Sequence, residues 1–86
     1  MRCRGSDAVA AIEACTRIAD VPTLSAETRA RALFNRAVAH GSRKDRDRQK
    51  ADLDASIRLH PTASAYFGRG LWHRDVTRSA ERQIAD

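Results

Sequence analysis

The sequence predicts an all-α chain of antiparallel helix–turn–helix pairs, about five helices in all, and two observations predict it. Apolar residues recur at spacings of three and four along several stretches, which lines one face of a helix. Short segments also come back at a fixed distance. DRQKAD at Asp47 to Asp52 returns as ERQIAD at Glu81 to Asp86, thirty-four positions on, and FNRAVAH at Phe34 to His40 returns as FGRGLWH at Phe67 to His73, thirty-three positions on. A period of this size marks helix pairs that stack on one another.

In chain order, the first predicted helix runs from 7 to 20. Ala8, Ala11, Ile12, Cys15, Ile18 and Ala19 share a face, and Ser6 or Asp7 stands where a side-chain oxygen caps the first turn. Its segment IEACTRI matches LDASIRL at Leu53 to Leu59, so the chain opens on the second helix of an incomplete unit. Val21 to Leu24 is read as a connector. The second helix starts after Ser25, a capping residue, and its face is Ala30, Leu33, Phe34, Ala37, Val38 and Gly41. Gly41 and Ser42 are expected to interrupt it, because glycine adopts the left-handed conformation that ends helices. A third helix carries Leu53, Ser56, Ile57 and His60 until Pro61, which lacks an N–H and disfavours helical geometry at the preceding residue, stops it. A partial last unit spans 62–86: a fourth helix, then a turn before Glu81 and a fifth helix begun near Glu81. A mobile tail is expected after Arg74, with Trp72 partly exposed.

At this point the chain resembles the tetratricopeptide repeat family, in a bacterial form. Ala32 to Pro61 aligns without a gap to a wording that recurs in a bacterial subfamily. The small residue of the first helix falls on Ala37 and the closing proline on Pro61; in the next unit the aromatic falls on Tyr66 and the small residue on Gly70. Leu33, His40, Gln49, Leu53 and Ser56 depart from the family's residues at their positions. The resemblance implies one domain over 1–86, with one complete unit at 26–61. It also implies a protein–protein interaction module that binds a peptide or partner protein along a concave groove. The groove positions map to Arg31, Phe34, Asn35, Val38, Phe67, Leu71 and Arg74, with Ser64 and Gly68 among them. Asn35 falls where clamp-type members hold a carboxylate, but Phe34 and Gly68 replace the charged donors such a clamp needs. A mixed apolar and arginine lining favours a peptide of acidic character.

Composition narrows the alternatives. The chain has 86 residues and a formal net charge of +5, with 42% hydrophobic residues and only 5% aromatic. Much of the apolar content is alanine, which packs closely but buries little area, so stability is expected to be marginal. No apolar run approaches the ~20 residues needed to span a bilayer, and MRCRGSD lacks a signal peptide's apolar segment. A soluble and by default cytoplasmic chain is expected. Members of the resembled subfamily are often exported, so a truncated piece of a longer protein is the alternative.

Catalytic chemistry finds no footing. The chain carries no nucleophile motif or glycine-rich phosphate loop, and the two cysteines, twelve positions apart with no histidine nearby, do not match zinc spacing. No enzyme activity, cofactor or metal is expected. Cys15 is read as a small packed residue, with a Cys3–Cys15 disulfide as the alternative. His40 and His73 occupy equivalent repeat positions and are expected to fill or border the space between helices. The basic run Arg43 to Lys50 is read as a solvated turn: Asp45 and Asp47 favour the helix start, and Arg48 pairs with Asp52 one turn on. The alternative for that run, and for the net charge, is contact with nucleic acid or another polyanion. Self-association through the open C-terminal end is a further expectation, since repeat arrays need their end faces covered.

Overall fold

A computed structural model describes the backbone of residues 7–85 and the side chains of residues 7–78. Four helices follow one another: α1 (Ala8–Ala19), α2 (Ala26–Ser42), α3 (Arg46–Leu59) and α4 (Ala63–Ala85). Each packs antiparallel on its predecessor, so α2 is covered by α1 on one side and α3 on the other, while α4 lies against α3. The fold class is therefore all-α, with four helices among the described residues rather than five.

The helix starts are set by side-chain caps. Asp7 accepts from the backbone N–H of Val9 and of Ala10 at the head of α1, at 3.0 and 3.3 Å. Ser25 accepts from Thr28 at the head of α2, Asp45 from Arg48 at the head of α3, and Thr62 from Ala65 at the head of α4. Each satisfies an N–H that has no partner within its own helix. The far end of α1 is tied across the connector, where Arg29 Nε donates to the Ala19 carbonyl at 3.0 Å.

The end of α2 departs from expectation. Gly41 stays helical, and the left-handed position is taken by Lys44 at φ 62°. Lys44 N–H donates to the Gly41 carbonyl at 3.0 Å and Asp45 N–H to the His40 carbonyl at 2.9 Å, the paired bonds of a Schellman ending. Gly41 is small for another reason: a Cβ there would sit 2.5 Å from Gln49 Nε2. The end of α3 follows expectation, since His60 before Pro61 is extended at φ −158° and ψ 97°.

The fifth helix is absent because nothing breaks the fourth. Between Leu71 and Glu81 there is neither glycine nor proline, so the turn expected before Glu81 and the tail expected after Arg74 are one continuous helix to Ala85. The hairpin between α2 and α3 has Lys44 in a left-handed conformation supported by two carbonyls; the later segment repeats the residues that follow that turn, but not the turn.

The core is small and rich in alanine. Cys15, Ala19, Ala32 and Leu33 form a buried cluster, flanked by Ala14, Ile18, Ala55 and Leu59. Cys15 is fully buried there, as read from the sequence; its proposed partner Cys3 lies outside the described residues. Ala30 and Ala37 of α2 and Leu53 and Ile57 of α3 are buried as well, and Ser56 Oγ donates to the Ala30 carbonyl at 2.8 Å. Full burial of a leucine such as Leu53 stabilises by about 1.5–3 kcal/mol, against far less for an alanine.

The two histidines read as equivalent are not. His40 is buried, whereas His73 is exposed and meets the edge of Trp72. Gly70 tells the same story: Ala37 is fully buried, but a Cβ on Gly70 would meet nothing within 4 Å. Helix α2 has a neighbour on both sides and α4 on one, so the same sequence position finds protein in the first case and solvent in the second. Trp72 is half-buried and pinned, its Nε1 donating to the Arg46 carbonyl at 2.9 Å.

Candidate partner-binding groove

Helices α2, α3 and α4 enclose a groove of about 500 Å³. Its floor is Leu53 from α3, with Phe34, Ala37 and Val38 from α2 on one wall and Phe67, Gly68 and Leu71 from α4 on the other. The walls come together where Gly68 meets the floor: a Cβ at Gly68 would stand 3.3 Å from Leu53 Cδ2 and 3.6 Å from Phe34 Cε2. A glycine at this crossing lets α4 approach closely while its neighbours Ser64, Phe67 and Leu71 still face the opening.

Most of the apolar lining is not closed over. Phe67 is 69% exposed and Val38 56%, while Phe34 and Leu71 are half-buried. A phenylalanine this open to water at the mouth of an apolar-lined recess is the most exposed large hydrophobic side chain among the described residues. A second recess of about 350 Å³ continues from the first past Phe34 and Ser64, and Glu27, Arg31 and Asn35 line it.

Eight of the nine groove positions expected from the sequence line these recesses: Phe34, Val38, Ser64, Phe67, Gly68 and Leu71 the larger, and Arg31 and Asn35, beside Phe34 and Ser64, the smaller. Arg74 is the exception, exposed on α4 but lining neither recess. Arg31 is not an isolated charge either, since it pairs with Glu27 at 3.5 Å, both largely exposed.

Sequence reasoning missed the far end of the groove, which is polar. Arg46 and Asp75 pair across it at 3.8 Å, joining α3 to α4, and Gln49 lies beside them. The Gln49 Oε1 atom is buried with no hydrogen-bond partner among the described residues, a state that costs roughly 1–3 kcal/mol. The available signal was Gln49 itself, a long amide where the resembled pattern has a small residue; Gly41 provides the room it needs.

Behind the groove, Asp54 ties α3 to its neighbours. It accepts from Lys50 Nζ at 2.9 Å and from Arg69 Nη1 at 3.4 Å, and Arg69 lies over the Tyr66 ring. The hydrogen bond from Lys50, followed by Arg69, holds the Asp54 carboxyl below the ordinary carboxylate range.

Three of the five cations in the basic run from Arg43 to Lys50 have an acidic neighbour. Arg46, Arg48 and Lys50 pair with Asp75, Asp45 and Asp54. The expected pair between Arg48 and Asp52 does not form, because Asp52 is taken from across the helix boundary. Arg36 Nε and Nη2 donate to its two carboxylate oxygens, both at 2.7 Å. A planar fork meeting a carboxylate with two bonds outcompetes a single flexible contact along one helix. This pair holds the Arg36 guanidinium even more firmly protonated than usual.

Among the described residues no cluster of three histidine, cysteine or acidic side chains could hold a metal ion, and no helix is long and apolar enough to cross a membrane. No family model, no curated protein and no solved structure matches the chain.

Proposed function

We propose that this chain is a protein-interaction module of the tetratricopeptide-repeat kind, which takes a segment of a partner protein into the groove between α2, α3 and α4. The observation that carries the reading is Phe67, a phenylalanine 69% exposed at the mouth of a recess whose floor and walls are apolar. The helix ends support it as well. The α2–α3 pair closes at Pro61, Ala37 is fully buried at its small-residue position, and a new helix begins at Ala63.

The occupant fits the lining. Apolar side chains of a peptide would cover Val38, Phe67 and Leu71, and acidic groups flanking them would compete with Glu27 for Arg31. Binding by a groove of this kind depends on a few well-packed aromatic and aliphatic anchors. A polyanion reading lacks a comparable exposed apolar observation, and three of the five cations of the basic run, Arg46, Arg48 and Lys50, have an acidic neighbour within the chain.

The test is selection of peptides from a random display library on the intact chain, followed by titration of the winners into the chain and into Phe67→Glu. Selected peptides should carry apolar anchors with acidic flanks, and the exposed-site substitution should weaken them at least tenfold while leaving the thermal melt unchanged. Winners that bind Phe67→Glu equally well would refute the groove. Affinity that falls by orders of magnitude between low and moderate salt would point to phosphate-like contacts instead.

A further inference from the structure

We infer that a second cleft, between α1, α2 and α3, is a binding site for a small oxyanion, the phosphate or carboxylate group of a ligand. This cleft, of about 370 Å³, shares no lining residue with the groove, and it is lined by Ile12, Thr16, Arg36, His40, Arg48 and Asp52. It collects the polar side chains that the peptide groove does not use, including one member of the basic run.

Asp52 and Arg36 set its charge. The Asp52 carboxylate is buried and held by two Arg36 bonds of 2.7 Å, so each side chain offsets the other. A third Arg36 N–H reaches Thr16 Oγ1 at 3.0 Å, which leaves two of the five guanidinium donors without a bond among the described residues. Thr16 Oγ1 in turn donates to the Ile12 carbonyl at 2.7 Å, so its position is fixed.

His40 is the second observation. Its side chain is only 9% exposed, and its one polar contact is Asp52, 3.5 Å from Nε2, too long for a good hydrogen bond. The His40 ring thus lines the cleft without a short hydrogen bond to a described side chain. Arg48, 75% exposed on α3, stands at the same cleft one turn before Asp52, paired only loosely with Asp45 at 3.6 Å.

The lining charges sum to one net positive with His40 neutral, from Arg36 and Arg48 against Asp52. Spare donors on Arg36, the His40 ring and the exposed Arg48 guanidinium at the mouth suit an oxyanion, since Arg forks match carboxylate and phosphate oxygens. A cation would meet net repulsion, and an apolar ligand would strand the polar groups.

The experiment is a nuclear magnetic resonance titration of the intact chain at constant ionic strength, with inorganic phosphate in one arm and acetate in the other. Saturable shifts are expected at the His40 ring, the Arg36 Nε–H and Arg48. Arg48→Ala, an exposed substitution that leaves the fold intact, should weaken them at least fivefold, while Arg43→Ala in the neighbouring turn should not. Tighter binding of phosphate assigns a phosphate-bearing ligand and tighter binding of acetate a carboxylate. Shifts that never saturate, that appear equally at Arg17, Arg43 and Arg58, or that survive Arg48→Ala unchanged would overturn the site.

Discussion

At the scale of single residues, the chain makes an unfavourable choice just past the end of α2. Lys44 occupies a left-handed backbone position at φ 62°, where a side chain costs roughly 1–2 kcal/mol and glycine nothing. Lys44→Gly should raise stability by about 0.5–1 kcal/mol after the extra freedom of glycine in the unfolded chain is subtracted, read as an increase in the urea midpoint. No increase would mean that the turn does not hold this conformation in solution. The glycines of α4 give a second comparison. Gly70→Ala meets open space and should stabilise by about 0.5–1 kcal/mol through helix propensity alone. Gly68→Ala has the same propensity gain but brings its new methyl within 3.3 Å of the buried Leu53, so it should stabilise less or destabilise. Equal effects would deny the close crossing at the groove floor. The bidentate pair of Arg36 and Asp52 makes a third. Asp52→Ala leaves a largely buried guanidinium without its carboxylate and should cost about 2–4 kcal/mol, whereas Arg36→Leu combined with Asp52→Leu should cost much less. Denaturant melts of Arg36→Leu, Asp52→Leu and the double variant supply the coupling directly.

Among elements, the contact between α3 and α4 is the thinner of the joints. It rests on Gly68 against Leu53 beside the buried Ala65, on Trp72 bonded to the Arg46 carbonyl, and on Asp54 held by Lys50 and Arg69. Asp54 gives this joint a pH dependence. Its carboxyl is held below the ordinary value of about 4, so its contribution is fully present above that value and lost as pH falls through the lower folded value. Stability should therefore drop on acidification below about pH 4, and Asp54→Asn should flatten that drop, followed by Trp72 fluorescence during urea titrations at several pH values. An unchanged acid slope in the variant would remove Asp54 from the joint. Helix length matters here as well. α4 has 23 residues against 14 in α3, and Asp75 already stands level with Arg46 at the start of α3. Everything in α4 beyond that point runs past its neighbour, which explains why Val76 is 38% exposed.

For the molecule as a whole, the radius of gyration is 13.7 Å and the extents are 50 × 26 × 15 Å, against about 12 Å expected for a compact chain of this length. Helices laid side by side in chain order give that elongated form, and they leave a groove on one side without any helix folding back to fill it. Much of this was legible in the sequence. The caps at Asp7 and Ser25, the stop at Pro61 and the burial of Cys15 follow from helical spacing and from the chemistry of the capping and breaking residues. What was not legible depends on neighbours that a repeat pattern assumes. ERQIAD copies the start of α3, but without a glycine or proline before it α4 simply continues. His73 and Gly70 copy buried positions of α2, but no helix covers them. Arg48 has the spacing to pair with Asp52, yet Arg36 reaches it from another helix with better geometry, and no local pattern announces a contact sixteen residues apart. The central claim is that the open recess between α2, α3 and α4 receives a partner segment. Amide and methyl shift mapping of the chain with a library-selected peptide tests it most directly: the account predicts changes concentrated at Phe34, Val38, Phe67 and Leu71, and changes centred on Arg43 to Lys50 or spread evenly over the exposed arginines would contradict it.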